Sequence, residues 1–242
     1  MTIVTSPTQQ RAAWEGKAVL RAVYAAYHHR IRQACRAGRT LEIGAGSGHL
    51  RASLSDCVGM DIVPTPWIDV VGDAHSLPFR DNTIANLVMI DVFHHLAYPS
   101  AFLREVCRVL QPGGRLIMVE PAMTLVSVPV LKLFHHEDMV MRVDPFADGP
   151  QTGPDPADAN MALPHLVFVT HRRRLVQMFP GLAMTRRTWF DLWAYPLSGG
   201  FQRWSLLPAA LVQPLLALEA KVESVLGRLL GFRMMVVMEK AA

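Results

Sequence analysis

The chain has 242 residues, 51% of them hydrophobic and 18% charged, with a formal net charge of +4. This composition excludes a disordered or fibrous chain, and the length is enough to bury roughly 70–75% of the surface an unfolded chain exposes. Mean hydropathy is high at +0.21, yet the most apolar stretch, Trp204 to Leu218, is interrupted by Pro208, Gln213 and Pro214 and falls short of the ~20 residues of a bilayer helix.

Met1 to Gln10 is polar and lacks the apolar core of a signal peptide. Cys35, Cys57 and Cys107 are scattered, with neither disulfide nor metal-ligand spacing, so reducing, cytoplasmic surroundings are expected. Basic residues gather at Arg11, Lys17, Arg21, Arg30, Arg32, Arg36 and Arg39, against Glu15 alone, and again at Arg172, Arg173, Arg174, Arg186 and Arg187. Such clusters suit phosphate-bearing partners or an anionic membrane surface; solvated helix faces are the plainer reading.

In chain order, Ala12 to Ala37 carries Val19, Val23, Tyr27 and Ile31 at every fourth position, which predicts an amphipathic helix ended by Gly38. Thr40 to Ile43 reads as a buried strand entering the loop Gly44-Ala45-Gly46-Ser47-Gly48, after which a helix is expected. Cys57 to Ile62, Ile68 to Asp73 and Ala85 to Asp91 are the next strands, the last apolar enough to be covered on both faces. Pro99 to Leu110 reads as a helix stopped by Gln111-Pro112-Gly113-Gly114, and Arg115 to Glu120 as the fifth strand. Strands alternating with helices at this spacing imply right-handed crossovers and a doubly wound parallel sheet.

Beyond Pro121 the pattern changes. Leu125 to Met141 looks helical, and Asp144 to Pro164 collects proline, glycine and acids as in an irregular lid. Leu166 to Phe179 predicts a helix, Ala183 to Trp193 a sixth strand, the segment to Leu230 one or two helices, and Phe232 to Met238 a closing strand. The expected organisation is one domain over 1–242: an N-terminal helix at 12–38, a core at 39–121, a helical and loop insertion at 122–181, and C-terminal strands with apolar helices at 182–242.

The glycine loop is the first chemical signal. Its glycines fall at i, i+2 and i+4, whereas the dinucleotide fingerprint places its third at i+5, here His49. Glycines let backbone approach a ligand closely, and Asp61 at the end of the second strand is placed to accept hydrogen bonds from ribose hydroxyls. Gly72-Asp73-Ala74-His75 follows the third strand, where a carboxylate suits the exocyclic amine of an adenine. Asn86 to Leu96 and Leu103 to Leu116 complete the set.

In this combination and order the chain resembles class I S-adenosylmethionine-dependent methyltransferases of the small-molecule type, over Leu41 to Pro121. The resemblance implies a Rossmann-like, doubly wound seven-stranded α/β sheet with an antiparallel last strand and a helical lid. It implies S-adenosylmethionine as cofactor, with Glu42, Gly44, Ala45, Gly46 and Gly48 at the methionyl end, Asp61 and Ile62 at the ribose, and Asp73, Ala74 and His75 at the adenine. Ile90, Asp91 and His95 would lie near the sulfonium.

A hydroxyl acceptor also needs a base, for which His94, His95, Glu120 and the run His135-His136-Glu137-Asp138 are candidates. His95 matches a position often histidine in this family, and His94 reads as packing or support. His135 and His136 are candidates for substrate contact or base; their residue types could ligate a metal, but neighbouring helical side chains diverge by about 100°, and no metal is expected.

Acceptor choice must come from the second half. Its motifs, such as Ala159 to Pro164 and Tyr195 to Phe201, resemble uncharacterised bacterial methyltransferases of surface-polysaccharide assembly. The expectation is O-methylation of a small-molecule or lipid-linked acceptor, a glycan among them, with peripheral contact at the inner membrane surface. The plainer reading of Trp204 to Leu230 is packing on the sheet or a homodimer face. The alternatives are an NAD(P)-dependent oxidoreductase, which the glycine spacing disfavours, and a non-catalytic cofactor-binding scaffold. A nucleic-acid partner is not expected, because the arginines lack interleaved aromatic platforms.

Overall fold

The computed structural model describes residues 6–134, 137–153, 155 and 158–241. The expected opening helix is two helices, α1 (Pro7–Gly16) and α2 (Ala18–Ala34). They part at Lys17, whose ammonium turns away to donate to the carbonyls of Gly200, Gln202 and Trp204, each at 2.8 Å. This triple contact ties the start of the chain to the loop near residue 200.

The strands are β1 (Thr40–Ile43), β2 (Cys57–Asp61), β3 (Val70–Val71), β4 (Ile84–Ile90), β5 (Leu110–Pro121), β6 (Leu182–Phe190) and β7 (Arg233–Lys240). They form one seven-stranded sheet in the order β3-β2-β1-β4-β5-β7-β6. Pairs from β3 to β5 are parallel, and β7 runs antiparallel to both β5 and β6. This is the doubly wound sheet the resemblance implied, with its switch point between β1 and β4.

Alternation on the buried strands supplies both cores. Leu87 and Met89 of β4 join α3 (Pro99–Val109) through Phe102, Leu103 and Val106, whereas Val88 and Ile90 meet Val23, Tyr27 and Ile31 of α2 on the other face.

The remaining helices are α4 (Ser127–Phe134), α5 (Leu163–His165), α6 (Arg172–Met178), α7 (Ala194–Ser198) and α8 (Ala209–Leu230). The helix expected at 166–179 is divided, because Leu166–Thr170 winds as a π-helix before α6. The helix expected over 125–141 spans only Ser127–Phe134 among the described residues, and those from 137 to α5 have no regular element, as the proline and glycine content suggested for 144–164 alone. No described helix is long and apolar enough to cross a membrane.

Candidate active site

The glycine loop leaves β1 with Gly44, Gly46 and Gly48 all left-handed, at φ +66°, +48° and +70°. A Cβ on Gly44 would overlap the Val92 side chain, and one on Gly48 would come within 2.8 Å of the Trp67 ring, so side chains are excluded by space as well as backbone. Asp61 Oδ2 accepts the Gly46 N–H at 2.8 Å, Asp61 Oδ1 accepts that of Val63 at 2.9 Å, and Trp67 Nε1 donates to the Gly46 carbonyl at 2.8 Å. Asp61 therefore braces the loop. The full helix expected after the loop is only a 3₁₀ turn, His49–Ala52. Physically, the short stretch before β2 starts at Cys57 leaves too few residues for several turns and a return.

Beneath the loop lies Glu42, only 4% exposed. With Ala45, Ser47 and Gly48 it lines a cavity of about 350 Å³ whose far wall includes Trp14 and Trp67. No described residue donates a hydrogen bond to its carboxylate. Burial and the neighbouring Asp61 push Glu42 up to about 8, partly offset by Arg51. A buried carboxylate without a donor among the described residues, beside the left-handed glycine loop, calls for a ligand that brings its own cation. S-adenosylmethionine carries an ammonium and a sulfonium, so the donor set fits it.

After β3, Asp73 Oδ1 accepts the His75 backbone N–H at 2.8 Å and lies 2.7 Å from His75 Nδ1. His75 Nε2 accepts the Tyr98 N–H at 3.2 Å, which places the ring proton on Nδ1, toward Asp73. Ala74 between them is buried. The expected adenine-side residues thus form one hydrogen-bonded unit at the carboxyl edge of the sheet.

Past buried Ile90, Asp91 adopts φ +57° and turns the chain into the 3₁₀ segment Phe93–His95. Its carboxylate pairs with Arg233 and receives the Tyr24 hydroxyl at 3.5 Å. Arg233 opens β7 opposite Pro121, stacks 4.4 Å from the Tyr195 ring centroid, and keeps a buried Nε without an acceptor among the described residues. Asp91 is accordingly held by an ion pair that no local motif announces. The one signal for it is Arg233 itself, a lone cation entering an apolar strand.

The histidine pair divides sharply. His94 Nδ1 lies 2.7 Å from Glu120 Oε2 and His94 Nε2 3.5 Å from Glu137 Oε2. Burial opposes charge on His94, but the hydrogen bonds and charges of Glu120 and Glu137 outweigh it and push the imidazole up to about 10. His95 Nδ1 lies 3.1 Å from the Asp158 carbonyl, an acceptor only, so Nδ1 carries the proton and Nε2 a free lone pair. Burial and the His94 cation push His95 below its ordinary value.

Glu120, also a candidate base from sequence, is spent: Oε1 accepts the N–H groups of Val92 and Phe93 at 3.0 and 2.8 Å, and Oε2 faces His94. His94 with His95 and Glu137, and again with Asp91 and Glu120, brings ligand-type atoms within 4.8 Å. Both His94 nitrogens face carboxylates. His135 and His136 lie outside the described residues.

Comparison with known proteins agrees with this geometry. The family model described as a methyltransferase domain matches residues 41–118, from β1 to β5. Residues 41–118, about a third of the chain, thus match a methyltransferase domain set on a doubly wound sheet. A Bacillus subtilis protein named only as an uncharacterized methyltransferase is 32% identical over 107 residues, 36% of this chain and 42% of that one. The malonyl-[acyl-carrier protein] O-methyltransferase of Methylococcus capsulatus is 33% identical over 97 residues, 32% of this chain and 35% of that one. The chain thus spans about a third to two fifths of the length of the curated relatives it matches. The crystal structure of a SAM dependent methyltransferase from Archaeoglobus fulgidus shares the fold, with a TM-score of 0.56 at 13% identity over 90% of this chain and 93% of that one. The methyltransferase domain accounts for the glycine loop and for S-adenosylmethionine as its cofactor; α4 to α8 lie outside the family match.

Proposed function

We propose that the chain methylates an oxygen of a small-molecule or lipid-linked acceptor, with S-adenosylmethionine as donor. The observation that carries this reading is Glu42, a buried carboxylate lacking a donor beside the glycine loop. In this assignment Glu42, Gly44, Ala45, Gly46 and Gly48 receive the methionyl end, and Asp61 with Ile62 the ribose. Asp73, Ala74 and His75 take the adenine, and Ile90, Asp91 and His95 stand beside the sulfonium.

The cofactor supplies a methyl group activated by positively charged sulfur. The protein must then align the acceptor, keep water out and remove a proton. His95 suits proton removal, since its Nε2 is uncharged and free to take the hydroxyl proton as the acceptor oxygen gains the methyl group and the sulfur departs as a neutral thioether. His94, held protonated between Glu120 and Glu137, keeps its neighbour neutral. The relative named as an O-methyltransferase matches only 32% of this chain, so its name supports the donor more than the acceptor.

Calorimetry with S-adenosylhomocysteine and with NAD tests the reading. The first is expected to bind and the second not; the reverse would make the chain an oxidoreductase. Glu42→Gln is expected to weaken S-adenosylhomocysteine binding at least ten-fold, because the amide removes the countercharge to the ammonium. The same variant should stabilise the ligand-free protein at alkaline pH. Glu42 is protonated in the fold up to about pH 8 but titrates near its ordinary value when unfolded. Its contribution is therefore whole below about pH 4.5 and lost as pH rises through 8. Glutamine has no such loss, so the variant's thermal midpoint should exceed the wild type's at pH 9 by several degrees and converge with it at pH 5. Equal affinity and parallel stability profiles would remove Glu42 from the site.

A further inference from the structure

We propose that the outer face of α8, with the arginines around Trp189, is a docking surface for an anionic lipid bilayer. Leu211, Leu218, Val225 and Leu229 recur at seven-, seven- and four-residue spacings, which aligns them along one side of the helix, and they are 54%, 49%, 76% and 47% exposed. The ionic groups on α8 are segregated. Glu219 is buried, accepting the N–H groups of Trp193 and Ala194 at 2.6 and 2.7 Å, and Glu223 pairs with Arg30 at 2.7 Å, while Lys221 and Arg228 stay exposed. The face offered to solvent is therefore apolar and purely cationic.

The cationic character continues onto the edge strand β6. Arg187 and Arg228 both lie over the Trp189 ring, at 5.0 and 5.1 Å, and none of Arg172, Arg186, Arg187 or Arg228 has a carboxylate partner among the described residues. Burial and the neighbouring Arg172 and Arg228 push Arg187 below its ordinary value, a mark of cations crowded without a counter-ion. Phosphate headgroups supply that counter-ion, and the leucine stripe supplies apolar area for the headgroup boundary. A second copy of the chain fits poorly: a two-fold contact sets the same patch against itself, cation facing cation. The surface also adjoins the site. Arg228 stands five residues before Arg233, the partner of Asp91, and the Val126 N–H meets the Leu229 carbonyl at 3.3 Å, with Leu125 77% exposed beside it. An acceptor anchored in the bilayer would thus be presented to the carboxyl edge of the sheet, a consequence that rests on the methyl-transfer reading.

Co-sedimentation with vesicles of phosphatidylcholine alone, and with phosphatidylglycerol added, decides the matter. Wild type is expected to bind only the anionic vesicles, and less so at high salt. Arg172→Gln with Arg228→Gln should weaken that binding about 25-fold, at roughly five-fold for each surface cation. Leu218→Ser with Val225→Ser should weaken it further, with the circular dichroism spectrum unchanged. No binding, equal binding to both vesicles, indifference to the variants, or self-association abolished by the serine variant would each overturn the proposal. S-adenosylhomocysteine calorimetry separates the two readings: vesicle binding lost with cofactor binding intact in the variants concerns this surface alone, and absent cofactor binding in wild type overturns the methyl-transfer reading instead.

Discussion

Glu120→Ala is expected to destabilise the protein by about 3–5 kcal/mol, the usual cost of removing one partner from a buried ion pair. At roughly 2–4 °C per kcal/mol for a chain of this size, the thermal midpoint should fall by about 10 °C or more. Glu120 is 1% exposed and sits at the end of β5. One carboxylate satisfies three donors there: the N–H groups of Val92 and Phe93, which form the turn after β4, and the Nδ1–H of His94. Alanine leaves these buried donors without that acceptor, and it leaves His94 with Glu137 alone.

The pH dependence has a definite sign. His94 is raised to about 10 in the fold, above its ordinary 6.5, so the pairing stabilises fully below pH 6.5 and is lost as pH rises through 10. The gap between wild type and Glu120→Ala should therefore narrow between pH 7 and pH 10.5. Glu120→Gln, which keeps an acceptor but no charge, should fall between the two. Urea unfolding at both pH values measures this, and an alanine variant as stable as wild type at pH 7 would show that the turn carries its own weight.

What the sequence disclosed follows from how local each feature is. Gly44, Gly46, Gly48 and the acid Asp61 lie within eighteen residues and announce a turn and a brace by residue type alone. The parallel strands were legible because β4 is apolar at almost every position, as only a strand covered on both faces can be. The expected strand at 68–73 shrinks to Val70–Val71, which pairs only with Met60 and Asp61 at the sheet margin; a short edge strand is the usual outcome where no further neighbour rewards a longer one. The π-helical stretch at Leu166–Thr170 has no such local mark, since its periodicity differs little from that of an α-helix over five residues.

The site itself was less legible than its frame. His94 and His95 are chemically identical in sequence, and their opposite protonation states come from Glu120, Glu137 and the Asp158 carbonyl, which only the folded sheet and the loop before α5 bring near. The pairing of Asp91 with Arg233 spans 142 positions in the chain. It depends on β7 being inserted between β5 and β6, a register that alternation alone does not specify. Glu42 was named from the family's loop, but its lack of a donor is a fact of packing, and it is that lack which argues for a cationic ligand.

His95→Asn is expected to lower turnover by about 10²–10⁴-fold on an acceptor hydroxyl, the range for a lost general base, while leaving S-adenosylhomocysteine affinity within a few-fold. Asparagine can still donate to the Asp158 carbonyl as His95 Nδ1 does, so the loop anchored there keeps its contact and the loss reports on Nε2. The wild-type rate should rise with pH through a midpoint below the ordinary imidazole value, because burial and the His94 cation both disfavour protonated His95. His94→Gln separates positioning from chemistry. It removes that cation and leaves Glu137 and Glu120, which pull His95 in the opposite direction, so the acid limb should move to higher pH while the plateau rate changes less than in His95→Asn. A limb that stays in place would mean that His94 only packs, and a His95→Asn enzyme within a few-fold of wild type would place the base elsewhere. In the proposed assignment Glu120 and Glu137 share one electrostatic effect: they keep a positive charge on His94, and that charge keeps the neighbouring ring neutral and ready to accept a proton at physiological pH.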